Sequence, residues 1–202
     1  MNPEKAKIIK SKDLFIFDMG NVVIKNIDFL SETAKVLNID EKSFIEDYLI
    51  FDFPLMEASI TFNEYWSHVE ERFNVKVENN PFDFTLHSTL NPLAIKLINE
   101  LRNYNKRIVL GSNTFAPHFN YFKNKGWDKY FNYCYVSHEM KIAKPKEDFF
   151  NYILSHEQVL PSKAFFIDDM KENILSAEKL GIKSFQYTSD EEFNKFFNLE
   201  SI

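Results

Sequence analysis

The chain has 202 residues, 45% hydrophobic and 27% charged, with a formal net charge of −6 and a single cysteine, Cys134. This is the composition of a soluble globular domain rather than a disordered chain, and its acidic balance gives no general electrostatic help toward nucleic acid or an anionic membrane. One cysteine excludes an intrachain disulfide, and no apolar stretch reaches the length of a signal-peptide core or a membrane span, so a cytoplasmic location and small-molecule partners are expected.

The Lys-rich start, Met1 to Asp13, leads into a first apolar run, Leu14 to Phe17, cut short by Asp18. Residues 28–87 then read as several amphipathic helices. Phe29, Leu30, Ala34 and Leu37 mark one of them. Phe44, Ile45, Tyr48 and Leu49 mark a second, and Tyr65, Trp66, Val69 and Phe73 a third. Leu93, Leu97, Ile98 and Leu101 recur at helical spacing before a second apolar run, Ile108 to Leu110. A third run, Tyr133 to Val136, places Cys134 as a buried strand residue rather than a reactive thiol. Phe149, Phe150, Ile153 and Leu154 form a helical stripe before the fourth run, Ala164 to Ile167. Ile174, Ala177 and Leu180 follow it, Gly181 stops that helix, and a weaker fifth run spans Ile182 to Tyr187.

Short continuous apolar runs suit strands buried on both faces, and their alternation with helices predicts an α/β fold with a doubly wound parallel sheet. The predicted organisation is a core of residues 1–27 and 88–202, with a helical cap, 28–87, inserted after the first strand. In such sheets ligands bind beyond the carboxyl ends of the strands.

Those ends carry chemistry. The first run ends in Asp18, Met19, Gly20 and Asn21, and the second in Gly111, Ser112, Asn113 and Thr114. Lys144 and Pro145 precede the helix leading to the fourth, which ends in Asp168 and Asp169, with Asn173 just beyond. Taken singly, each is a common turn or cap. In order, on parallel strands, they converge on one edge. A carboxylate there can attack a phosphoryl group. Crowded carboxylates repel unless a hard cation lies between them, and a hydroxyl, backbone amides and a lysine can hold the remaining phosphoryl oxygens.

Together, these four motifs resemble those of the haloacid dehalogenase-like hydrolases, over nearly the whole chain. The opening from Asp18 to Val22, and Ser112 to Thr114 followed by His118, are most similar to the bacterial α-D-glucose-1-phosphate phosphatase type, related to the phosphatase domain of soluble epoxide hydrolase. The resemblance implies a Mg²⁺-dependent phosphatase acting on a small phosphorylated metabolite, such as a sugar 1-phosphate. It implies Asp18 as nucleophile and metal ligand, with the Gly20 carbonyl and Asp169 as further ligands and Asp168 supporting the metal directly or through water. Ser112, Asn113 and Lys144 would bind the phosphoryl group, and Asn173 would order the last motif's loop.

One departure matters. Gly20 stands where most phosphatases of this superfamily carry a second Asp that shuttles a proton to the leaving group. That favours a substrate with an acidic leaving oxygen. It also leaves open a phosphate-binding or regulatory protein with a weakened site; a phosphoryl-transferring mutase is a third reading that the missing Asp weakens. A 2-haloacid dehalogenase needs no metal and does not account for Asp168 and Asp169. His118 is open to two readings, substrate contact or proton transfer against a helix-start residue facing solvent. His68 and His87 read as surface residues. Phe51, Phe53, Tyr65 and Trp66 fit either a substrate pocket or a helical core stripe. Oligomeric state has no signature in the pattern.

Overall fold

The computed structural model describes residues 3–199. In chain order, α1 (Pro3–Ser11) leads into β1 (Leu14–Phe17) and the two-residue β2 (Ile24–Lys25). Then come α2 (Leu30–Leu37), α3 (Glu41–Met56), α4 (Phe62–Phe73) and the two-residue β3 (Thr89–Leu90). The chain continues through α5 (Pro92–Asn103), β4 (Arg107–Ser112), α6 (Ala116–Asn124), β5 (Tyr133–Val136) and α7 (Ser137–Met140). It ends with α8 (Glu147–Glu157), β6 (Ala164–Asp168), α9 (Lys171–Lys179), β7 (Lys183–Gln186) and α10 (Asp190–Phe197).

Five strands form one parallel sheet in the order β5-β4-β1-β6-β7. The central strand shows why the runs are continuously apolar. Side chains alternate between faces, so Phe15 and Phe17 enter one core with α5, α6 and α10, while Leu14 and Ile16 enter another with α8 and α9. All four are fully buried. This is the doubly wound architecture expected from the sequence. The fifth run, weakest in the pattern, is the edge strand β7, only partly covered. Cys134 lies on the opposite edge strand, β5, and is partly buried rather than fully so; burial pushes its thiol up to about 12, which keeps it protonated and unreactive.

Between β2 and β3 the three helices gather around their own aromatic cluster of Phe44, Tyr48, Tyr65, Trp66 and Phe82. Phe115 of the core joins it, with its ring stacked on Phe82 at 5.3 Å. Local chemistry sets the helix ends. Asp40 accepts from the Ser43 amide at the start of α3. Thr61 and Glu64 form a reciprocal capping box at α4, which satisfies two otherwise orphaned amides. Pro54 falls in the last turn of α3, which ends two residues later.

Several features depart from expectation. Leu49, read as part of the apolar stripe, is 61% exposed; the neighbouring Asp47 is buried instead, because His68 Nε2 contacts both its oxygens at 3.0 Å. His68 therefore has a buried partner, whereas His87 is exposed as read. Phe51, Tyr65 and Trp66 belong to the helical core, and Phe53 lies on the cleft described below. The paired ribbon of β2 and β3, and the terminal helices α1 and α10, had no clear pattern in the sequence. Among the described residues, no helix is long and apolar enough to cross a membrane.

Candidate active site

The register of β1 aligns Phe17 with Leu110 of β4 and Ile167 of β6. Asp18 therefore emerges at the carboxyl edge beside Gly111 and Asp168, with its amide donating to the Ile167 carbonyl at 2.9 Å. Lys144, from the loop between α7 and α8, reaches this edge and is 1% exposed. Its Nζ donates to Asp18 Oδ1 at 2.6 Å, Asp168 Oδ2 at 2.7 Å and the Gly111 carbonyl at 2.9 Å. Asn113 fixes the lysine from behind, with Nδ2 donating to the Lys144 carbonyl and Oδ1 accepting from its amide, both at 2.8 Å. Gly111 is needed on packing grounds, since a Cβ there would fall 2.7 Å from Ile16 Cγ2.

Asp168 is wholly buried and committed. Besides Lys144, it accepts from the Met170 amide at 2.8 Å and from Asn173 Nδ2 at 3.0 Å, so Asn173 does order this loop. Asp169 is less covered; its Oδ2 accepts from Asn21 Nδ2 at 2.9 Å, and Asn21 adopts a left-handed backbone at φ 55°. Carboxylate oxygens of Asp18, Asp168 and Asp169 all lie within 4.8 Å of one another.

Burial pushes Asp18 up to about 7, with Lys144 pulling it down and Asp168 and Asp169 adding to the rise. Asp169 is also raised, chiefly by burial. Burial alone would lower Lys144, but Asp168 and Asp18 prevail and hold it above its usual value. Three carboxylates thus face one ammonium in a place of low dielectric. An all-oxygen set of this kind suits a hard divalent cation, which would relieve the remaining repulsion. The Gly20 carbonyl accepts from the Val22 amide at 2.7 Å and retains a second lone pair for such an ion.

The edge opens into a cleft of about 310 Å³. Asp18, Asn113, Lys144 and Asp169 line its floor, and Asp52, Phe53 and Met56 of α3 line it from the helical insert. His118 of α6 also lines it, yet is only 6% exposed, wedged between Phe29 and Phe115 with ring centroids 4.3 Å from each. The solvent-facing reading of His118 is therefore overturned. Its Nε2 has no hydrogen-bond partner, and burial pushes its pKa down to about 3, so at neutral pH it is an uncharged ring. Ser112 is not brought to the cleft wall. It is 1% exposed, and its hydroxyl turns to the Asn113 carbonyl at 3.3 Å. Asn21, although it belongs to the first motif, has no role legible from the sequence, nor have Asp52 and Glu57 of the insert. Glu57 Oε1 accepts from the Ala143 amide at 2.9 Å, and Glu57 pairs with Lys146 at 2.6 Å, clasping the insert to the lysine loop. No motif or periodicity marks either acid.

A family model described as haloacid dehalogenase-like hydrolase matches residues 12–181. The chain belongs to that family. Solved relatives of this hydrolase include a wild-type haloacid dehalogenase family enzyme of Bacteroides thetaiotaomicron in complex with magnesium and inorganic phosphate. It is 24% identical, with a TM-score of 0.77, over 92% of this chain and 99% of that one. A haloacid dehalogenase-like family hydrolase of Porphyromonas gingivalis aligns at 18% identity and TM-score 0.74, over 95% and 100% of the two chains. L-2-haloacid dehalogenase of Xanthobacter autotrophicus shares the fold more distantly, at 12% identity and TM-score 0.64, over 89% of this chain and 80% of that one. Among curated proteins, D-ribitol-5-phosphate phosphatase of Bacteroides thetaiotaomicron is 26% identical over 91 residues. That match covers 42% of this chain and 44% of the relative, less than half the length of either.

Proposed function

We propose that this hydrolase is a Mg²⁺-dependent phosphatase of small phosphorylated metabolites, with Asp18 as the nucleophile that becomes transiently phosphorylated. The observation that carries the reading is the cluster of Asp18, Asp168 and Asp169 around the single buried ammonium of Lys144, at the floor of a cleft. The sugar- or polyol-phosphate substrate class draws support from the phosphatase relative; the sequence likeness to glucose-1-phosphate phosphatases suggests one such ester.

In this reading residues 28–87 are a cap over the strand-end site. Asp18 and Asp169, with the Gly20 carbonyl, hold the metal, which when bound neutralises phosphoryl charge and the crowded carboxylates. Asp168 acts from behind, because its oxygens already hold Lys144, the Met170 amide and Asn173. Lys144 orients Asp18 and offers its remaining field to the phosphoryl oxygens. Asn113 keeps Lys144 in place and borders the cleft. Ser112 contributes through its backbone or after a rotation of its hydroxyl, and His118 packs against the leaving group as a neutral ring.

Phosphate release from an aryl phosphate and from a panel of sugar and polyol phosphates, with Mg²⁺ or EDTA, tests this. Turnover that needs Mg²⁺ and disappears in Asp18→Asn is expected. Tight binding of phosphate esters without turnover would instead select a binding protein, the reading Gly20 leaves open.

A further inference from the structure

Gly20 carries no side chain to protonate a departing alkoxide, and a side chain there would first have to displace Ile27 slightly. A Cβ on Gly20 would sit 3.2 Å from Ile27 Cδ1. A proton for the leaving group must then come from elsewhere on the cleft. Six cleft-lining side chains can carry one: Asp18, Asp52, His118, Lys144, Asp169 and Glu172. Asp18 is the attacking group, and Asp169 faces the metal position. Lys144 is spent on two carboxylates and a carbonyl. His118 is held unprotonated by its aromatic surroundings. Glu172 is solvent-exposed in the first turn of α9, on the core side.

Asp52 differs in position and surroundings. It projects from α3, so it approaches the cleft from the insert rather than from the strand ends. Phosphoryl transfer runs in line, which places the leaving oxygen across phosphorus from the attacking carboxylate. With Asp18 on the floor, that oxygen points toward the insert, the side on which Asp52 lies. Asp52 is flanked in the cleft by Phe53 and Met56, and its Oδ1 has no partner at ordinary hydrogen-bond geometry, although the Tyr48 hydroxyl lies near enough to favour its ionised form. The groups facing it are Tyr48, one turn earlier on the same helix, with Tyr65 of α4 behind Tyr48 and His118 of α6 on the cleft wall. Tyr48 Oη likewise lacks a partner in good geometry. None of these groups is a cation that would hold the carboxyl ionised, and burial raises its pKa despite the opposing influence of Tyr48.

We propose that Asp52 is the proton donor and acceptor of the reaction, taking from the cap the task for which Gly20 has no side chain. The proposal rests on the phosphatase reading. As an Asp18 oxygen bonds to phosphorus and the P–O ester bond breaks, the Asp52 carboxyl proton passes to the departing oxygen, which leaves as a neutral alcohol. The resulting Asp52 carboxylate then takes a proton from the water that attacks the phosphorylated Asp18. Phosphate departs, Asp18 regains its carboxylate, and Asp52 is again protonated.

The test compares kcat/KM for a polyol phosphate and for an aryl phosphate, in wild type and in Asp52→Asn with Mg²⁺. This quantity reports steps through leaving-group departure, and an aryl oxide leaves without a proton. General acid catalysis contributes about 10²–10⁴-fold, so the polyol ester should lose at least about 30-fold more than the aryl ester. Aryl turnover doubles as a check that the variant is folded. Equal losses on both esters, or no loss on either, would overturn the assignment. If Asp52→Asn lacks all activity, Asp52→Glu decides: recovery of polyol-ester turnover supports it, and failure to recover overturns it. Wild type inactive on both esters would sink the phosphatase reading itself, a result distinct from these.

Discussion

His118 shows how an aromatic nest alters a titratable group. The unfolded chain takes up a proton at this residue near 6.5, and the folded chain not until about 3. Because the folded pKa is depressed, the contribution to stability is complete above pH 6.5 and is lost as pH falls toward 3. A tenfold difference in proton affinity between the two states corresponds to about 1.4 kcal/mol, so the acid limb should be steep. Asp18 works in the opposite sense, its raised pKa favouring the fold at lower pH, so the His118 effect is best read by difference. Denaturant unfolding of His118→Phe between pH 3 and 7 should give a flatter curve than wild type. Parallel curves would show that the ring is not held neutral.

The elements reveal which parts of the sequence were legible. β1 has the expected bounds because a strand buried on both faces is apolar at every position, and β5, an edge strand with Tyr133 exposed, has them because its run of Tyr, Cys and Val is short and sharply bounded. β4 and β6 each extend slightly beyond their apolar runs, into Ser112 and Asp168, where the chemistry begins. The ribbon of β2 and β3 is two residues long and too short to carry a period. In α3, Asp47 replaces Leu49 at a buried position because its partner, His68, comes from another helix, and pairings across helices leave no trace in local spacing. Glu57 went unread for the same reason, since its partners are Ala143 and Lys146; Asp52 went unread because its place on the cleft depends on how α3 lies over the strand ends. Where α3 hands over to α4, Ala58 sits at φ 49°, a left-handed conformation that penalises any Cβ. Ala58→Gly should raise stability by about 0.5–1 kcal/mol, measured as an increase in Tm. A fall in Tm would mean that the alanine side chain has an unrecognised contact.

For the whole molecule, a cation held by the crowded carboxylates at the sheet edge would couple folding to metal. A ligand bound only by the folded state stabilises it by about 2.7 kcal/mol at a hundredfold excess over Kd. Mg²⁺ titrated at pH 8 should therefore raise the Tm of wild type, and Asp169→Asn should abolish most of that rise. An equal rise in both would place the ion elsewhere. Three of the four motifs made this site legible because each stands at a strand end, and the fourth, Lys144, comes in order from the loop between α7 and α8. The depth of Ser112 and the burial of His118 were not legible, because both depend on how α6 and the insert close over the edge.

The two-residue ribbon that frames the insert has one more consequence. Lys25 stands opposite Thr89, and Ile24 opposite Leu90, so the chain leaves the hydrolytic scaffold and returns to it at adjacent points. Everything between is a cassette with a single doorway. If Asp52 serves the leaving group as proposed, selectivity for that group can drift, or be transplanted by exchanging residues 26–88 between relatives, while the strand-end carboxylates keep their register.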